Sequence, residues 1–192
     1  MKPFVRVTGR AAVLDRADVD TDQIVPKQFL KSIERTGFGE ALFFDWMRDP
    51  DFELRRPEAQ GARILLAGAN FGCGSSREHA AWAILDYGFE AVIAPSFGDI
   101  FRTNATKVGL LPVVLPYEQM KTLMDRAAQG EELTVDLEEQ TAGGFRFDID
   151  ESTRHRLLNG LDDITRTLQL ADEIAAFEAA NPPPISTAAL PF

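Results

Sequence analysis

Apolar positions recur along this chain with two periods, and the switches between them mark its organisation. Val5 and Val7 alternate with Arg6 and Thr8 before Ala11 to Leu14 turns apolar, which predicts one or two short strands. Asp15 to Asp22 is a polar, aspartate-rich loop, followed by Ile24 and Val25 up to Pro26. Gln28 to Gly39 is a mixed segment that closes on Thr36-Gly37-Phe38-Gly39, a turn-rich stretch. Ala41 to Met47 is apolar and aromatic and reads as a short helix, and Pro50 to Gly61 reads as a charged connector.

The middle of the chain is more regular. Arg63 to Ala69 is an apolar run, the pattern of a buried strand. Asn70 to Ser76 is a glycine-rich loop, and Arg77 to Tyr87 is made of helix formers ending at Gly88, a C-cap. Ala91 to Ala94 predicts a second strand closed by Pro95, Phe97 to Val108 a helix ending at Gly109, and Pro112 to Leu115 a third strand. Tyr117 to Gln129 has the amphipathic spacing of a helix and stops at Gly130. Leu133 to Leu137 and Phe145 to Ile149 each alternate, with Gly143-Gly144 between them, which predicts a hairpin. Ser152 to Ala180 is a long helical region with a break at Gly160, and Pro182-Pro183-Pro184 opens an extended tail. Strand, loop and helix alternate through the centre, so the expected class is α/β. The expected organisation is one domain over residues 1–180 and a tail over 181–192.

Charge and cysteine content narrow the function. Thirty acidic residues against 20 basic ones leave a formal charge of −10, which argues against nucleic acid and anionic lipid as partners. An acidic substrate can then bind only through a local positive pocket. Cys73 is the single cysteine, so no internal disulfide and no thiolate-ligated iron–sulfur cluster is expected within the chain. His79 and His155 are the only histidines, and neither sits in a metal-ligand spacing, so no metal site is expected. The absence of a signal-like or membrane-length apolar stretch points to a soluble cytoplasmic protein.

The chemistry concentrates in Gly68-Ala69-Asn70-Phe71-Gly72-Cys73-Gly74-Ser75-Ser76-Arg77-Glu78-His79-Ala80, between a strand and a helix. Glycines there let backbone pass close to a ligand. The helix start presents unpaired N–H groups and a positive dipole end, which together form an anion site without net positive charge. Arg77 adds a planar fork suited to a carboxylate or phosphate. One of Ser75 and Ser76 can cap the helix, leaving the other hydroxyl for chemistry. No lysine follows the last glycine, so this is not a P-loop, and no second glycine completes a nucleophile elbow.

The run Gly74-Ser75-Ser76-Arg77-Glu78-His79-Ala80 resembles the signature of the swivelling domain of the aconitase superfamily. Asp18-Val19-Asp20-Thr21-Asp22-Gln23-Ile24-Val25-Pro26 fits the same assignment, as does Arg35-Thr36-Gly37-Phe38-Gly39 followed by Phe44-Asp45-Trp46. Together, in this order and in a chain of this length, they resemble the small subunits of the bacterial 3-isopropylmalate dehydratases. The resemblance implies a β/β/α swivelling domain, with a mixed sheet or barrel-like core flanked by helices. It implies a hydro-lyase that isomerises 2-isopropylmalate to 3-isopropylmalate through isopropylmaleate, in leucine biosynthesis. It also implies a large subunit as partner, carrying a [4Fe–4S] cluster, over which this chain closes to bind a small dicarboxylate.

By the same resemblance Ser75 is the catalytic base, Ser76 donates a hydrogen bond to substrate and Arg77 binds a substrate carboxylate. Asp22 matches an active-site aspartate that orients an arginine or a proton relay. Arg35 lies where the superfamily places another substrate-binding arginine. Phe29, Leu30 and Ile33 line the loop that sets specificity, with simple packing as the alternative for each. Cys73 and His79 are expected to pack rather than react. The nearest competing readings are a related dehydratase acting on homocitrate, citraconate or dimethylmalate, a non-catalytic anion-binding module, and a serine hydrolase.

Overall fold

The computed structural model describes residues 1–30 and 36–181. The chain forms two compact units, Met1–Gly160 and Leu161–Phe192. The expected tail over 181–192 lies, apart from Asn181, outside the described residues.

The first unit is built on two four-stranded sheets. Strands β1 (Arg6–Gly9) and β2 (Ala11–Leu14) are separated only by Arg10 and belong to different sheets. β2 is followed in space by β3 (Ile64–Ala67), β4 (Ala91–Ala94) and β5 (Leu111–Val114), all parallel and in sequence order. β1 pairs antiparallel with β6 (Leu133–Asp136), then β7 (Thr141–Ala142) and β8 (Phe145–Arg146) complete the second sheet. The α/β class therefore holds, with parallel and antiparallel pairing divided between two sheets.

The apolar runs of β3 and β4 are explained by burial on both faces. Successive side chains in a strand point to opposite sides. Leu65, Ala67, Val92 and Ala94 thus enter one core cluster with Phe71, Ala80, Ile84 and Phe101. Ile64, Leu66, Ile93 and Val113 enter a second cluster with Met120, Leu123, Val135 and Leu157. Pro112 sits opposite Val92 on β5, which is an edge strand, where the missing N–H costs the ladder least.

Helices cross between the parallel strands. α1 (Thr21–Ile24) is one turn, α2 (Glu78–Tyr87) joins β3 to β4, and α3 (Asp99–Val108) joins β4 to β5. α4 (Tyr117–Ala128) leads from β5 to β6, and α5 (Glu151–Asn159) closes the unit. Gly88, Gly109 and Gly160 all take left-handed conformations at the ends of α2, α3 and α5, as their positions in the sequence predict.

Three expected elements differ. Ala41 to Met47 is not a helix: 3-10 turns at Phe38–Ala41 and Trp46–Arg48 flank it. The cause is Phe43, fully buried at φ 49°, stacked on Trp46 and donating its N–H to the Ile24 carbonyl at 2.8 Å. The expected hairpin gains a strand, because Gly143-Gly144 joins β8 to β7 rather than to β6. The long C-terminal helical region is three helices: α5, α6 (Asp163–Gln169) and α7 (Ala171–Ala180). No helix among the described residues is long and apolar enough to cross a membrane.

Candidate active site

The loops leaving the carboxyl ends of β2, β3 and β4 meet at one place, where open α/β sheets commonly bind ligands. The β2 and β3 exits continue side by side as bridging backbone. Asp18 N–H donates to the Ala69 carbonyl at 2.9 Å, Gly72 N–H to Val19 at 2.7 Å, and Thr21 N–H to Cys73 at 3.0 Å. The β4 exit joins from the other side: Phe71 N–H donates to the Ser96 carbonyl at 3.1 Å and Gly98 N–H to Phe71 at 2.9 Å. The Ser96 hydroxyl accepts the Asn70 N–H at 2.8 Å, and the Asn70 amide donates to Asp18 Oδ1 at 2.7 Å.

This lacing requires backbone to pass where a side chain would not fit. A Cβ on Gly68 would lie 2.3 Å from the Arg16 carbonyl oxygen. Gly72, at φ 74°, would press one to 2.2 Å from the Phe101 ring. The glycines thus hold the loop down, and Gly74-Ser75-Ser76 rises from it with all three residues exposed.

Neither serine caps α2. Its N-cap is Arg77, extended at φ −127° and ψ 110°, and no side chain among the described residues caps the first turn. The positive end of a ten-residue helix is therefore left open beside the two serines. Among the described residues neither serine hydroxyl has a hydrogen-bond partner.

Asp22 reaches Arg77 from α1. Asp20 caps that turn reciprocally with Gln23, its carboxylate accepting the Gln23 N–H at 2.8 Å while the Gln23 side chain accepts the Asp20 N–H at 2.9 Å. The box fixes the turn so that Asp22 accepts a charged hydrogen bond from Arg77 Nη1. That bond, reinforced by the Arg77 and Lys27 charges, holds the Asp22 carboxyl below the usual carboxylate range despite partial burial. The Arg77 side chain is only 12% exposed, so its fork is held in one place with N–H groups to spare for a second carboxylate.

Thr21 is a further residue of this site that the motifs did not single out. It is buried, and its hydroxyl donates to the Ser75 carbonyl at 3.1 Å. Its position beside Asp22 in the Thr-Asp pair is the only signal the sequence carries.

The remaining expected residues divide. Phe29 and Leu30 lie on and just after a 3-10 turn at Lys27–Phe29, half-buried against the core, and the Phe29 ring meets Phe44 edge-on at 4.8 Å. Ile33 and Arg35 lie outside the described residues. His79 is enclosed by the rings of Trp82 at 4.6 Å and Phe38 at 5.1 Å, and burial lowers its pKa. Burial, with the Asp20 and Asp18 charges, raises the Cys73 thiol. No group of three or more metal-ligating side chains occurs among the described residues.

Residues 1–118 match the aconitase C-terminal domain. The solved structure of 3-isopropylmalate dehydratase from Methanocaldococcus jannaschii superposes with a TM-score of 0.65 at 28% identity, covering 90% of this chain and 99% of that one. Fold and loop together define a swivelling domain of the aconitase superfamily. The 3-isopropylmalate dehydratase small subunit of Rubrobacter xylanophilus is 55% identical over 188 residues, 95% of this chain and 96% of that one. Its counterpart in Rhodopirellula baltica is 57% identical, covering 94% of this chain and 100% of its own, and that of Bacillus subtilis is 52% identical over 93% and 96%. The chain belongs to the family of 3-isopropylmalate dehydratase small subunits.

Proposed function

We propose that this chain is the small subunit of a cytoplasmic hydro-lyase that interconverts 2-isopropylmalate and 3-isopropylmalate, a step of leucine biosynthesis. It removes water to give isopropylmaleate and adds it back with the opposite orientation. The observation that carries the reading is the site itself: two serine hydroxyls with no partner among the described residues, at a helix start without a side-chain cap among them, beside an arginine held by Asp22.

In this reading Arg77 and the first-turn N–H groups of α2 bind a substrate carboxylate, and Ser76 donates to it. Ser75, as alkoxide, takes the proton from the carbon next to that carboxylate. The C–H electron pair forms the double bond, and the hydroxyl departs from the neighbouring carbon. In the second half Ser75 returns the proton. A serine alkoxide forms only where donors and positive charge stabilise it, and the helix start and Arg77 supply both. Phe29 and Leu30, half-buried at the end of the turn that follows α1, are assigned to specificity for the isopropyl group; the parallel assignments of Ile33 to specificity and Arg35 to substrate binding rest on the sequence resemblance alone.

A [4Fe–4S] cluster does not fit this chain. Such a cluster needs several thiolates, whereas the chain has Cys73 alone, and burial with the Asp20 and Asp18 charges raises its thiol. The cluster is assigned to the large subunit.

The test is anaerobic hydration of isopropylmaleate by this chain alone and mixed with the large subunit, with wild type and Ser75→Ala. Activity only in the mixture, lost in the variant, is the expected result. A mixture that assembles but leaves isopropylmaleate untouched refutes the substrate assignment. Full activity of Ser75→Ala refutes the base.

A further inference from the structure

Helices α6 and α7 have no buried residue, yet they carry large apolar side chains. Ile164 and Leu168 stand four apart on α6, and Ile174 and Phe177 three apart on α7, with Leu170 between the helices. These five are 38% to 73% exposed and include most of the exposed large hydrophobics of the described residues. Side chains at such spacings share one helix face. Helices of seven and ten residues are too short to be stable in water by themselves. A face of this kind marks an interaction surface.

Its charge selects the occupant. From Leu161 to Ala180 the chain carries Asp162, Asp163, Asp172, Glu173 and Glu178 against Arg166 alone. A second copy would bring two acidic faces together, in a chain already at −10. We propose that the apolar face of α6 and α7 docks on the large subunit, in an apolar groove rimmed by lysine or arginine. The surface is separate from the Ser75 loop in sequence, and its role is assembly. The inference rests on the reading of this chain as a small subunit.

The test uses the full chain with Leu168→Glu and Phe177→Glu together, both at exposed positions that leave the core intact. Binding to the large subunit is measured by calorimetry, the oligomeric state of the free chain by sedimentation, and turnover at saturating large subunit. The expected result is a dissociation constant raised by at least about 30-fold, with kcat at saturation within about twofold of wild type. A second variant, Asp172→Lys with Glu173→Lys, weakens binding at low salt and converges on wild type at high salt. Wild-type binding that the Glu variant leaves unchanged overturns this inference alone. A free wild-type chain that dimerises through these residues overturns it in favour of a second copy. Failure of the wild type to bind the large subunit overturns this inference and the functional reading together.

Discussion

Asp22 and Arg77 stand 55 residues apart in the chain and share one charged hydrogen bond across the start of α2. The bond ties the single turn that follows β2 to the loop that follows β3, so the proposed anion site depends on two separate motifs being folded together. Removing the charge by Asp22→Asn leaves Arg77 less constrained. The expected outcome is a fall in kcat/KM of about 10-fold, carried mainly by KM for the dicarboxylate.

The same pair makes a pH prediction. The folded Asp22 carboxyl is depressed, so its stabilisation is present above the ordinary carboxylate pKa and lost as pH falls through the lower folded value. Asp22 is 44% exposed, so solvent screening keeps this contribution below about 1 kcal/mol. Thermal melts should therefore show wild type slightly above Asp22→Asn at neutral pH, with the difference shrinking as the pH falls below the ordinary carboxylate range. A difference that grows toward low pH would contradict the assignment.

Thr21 acts on Ser75 through the backbone. Thr21→Val keeps the shape and removes the hydrogen bond to the Ser75 carbonyl. Such a bond contributes about 1 kcal/mol, so kcat should fall roughly fivefold through displacement of Ser75. Thr21→Ser should restore it. Failure of the serine variant to recover activity would place the role of Thr21 in packing instead.

The sequence makes the scaffold more legible than the site's supports. Apolar runs in β3 and β4 have no polar face, which reads as doubly buried strands, and glycines mark the ends of α2, α3 and α5. The Ser75-Ser76-Arg77 run was legible as a motif. The capping box of Asp20 and Gln23 was also written in the sequence, but it serves a one-turn helix too short to show any periodicity. Phe43 was illegible for another reason. Its left-handed backbone is set by packing against Trp46 and Phe52 from later in the chain, which overrides the local helical pattern. The contacts of Thr21 and Asn70 join residues 54 and 52 positions apart, and no local spacing rule reports those.

Cys73 lies beside Asp20 in the loop that leads to Ser75 and Ser76, and its thiol is raised. Burial and the Asp20 and Asp18 charges raise its thiol, so the thiolate fraction at neutral pH is below that of a free cysteine. Alkylation by iodoacetamide at pH 7 should be slower than for a free thiol and should accelerate only at clearly alkaline pH. Cys73→Ala should retain most of the activity in the assembled enzyme. Rapid labelling at pH 7 would show that the aspartates do not govern this thiol.

Gly72 and Gly74 separate two costs that are usually mixed. Both have positive φ, 74° and 91°. At Gly72 an added methyl also meets the Phe101 ring at 2.2 Å, whereas at Gly74 the nearest atom is 3.5 Å away. Gly74→Ala therefore bears backbone strain alone, about 1–2 kcal/mol. Gly72→Ala adds the displacement of a buried ring, about 1–3 kcal/mol more. For a chain of this length each kcal/mol moves Tm by about 2–4 °C, so Gly72→Ala should melt distinctly lower than Gly74→Ala. Activity should not simply track stability. Gly74 precedes Ser75 in the exposed part of the loop, so its alanine variant should fold well and still lose turnover, whereas Gly72→Ala should lose both together. Equal melting temperatures for the two variants would mean that Phe101 moves aside without cost, and that the loop is not held down as its contacts indicate.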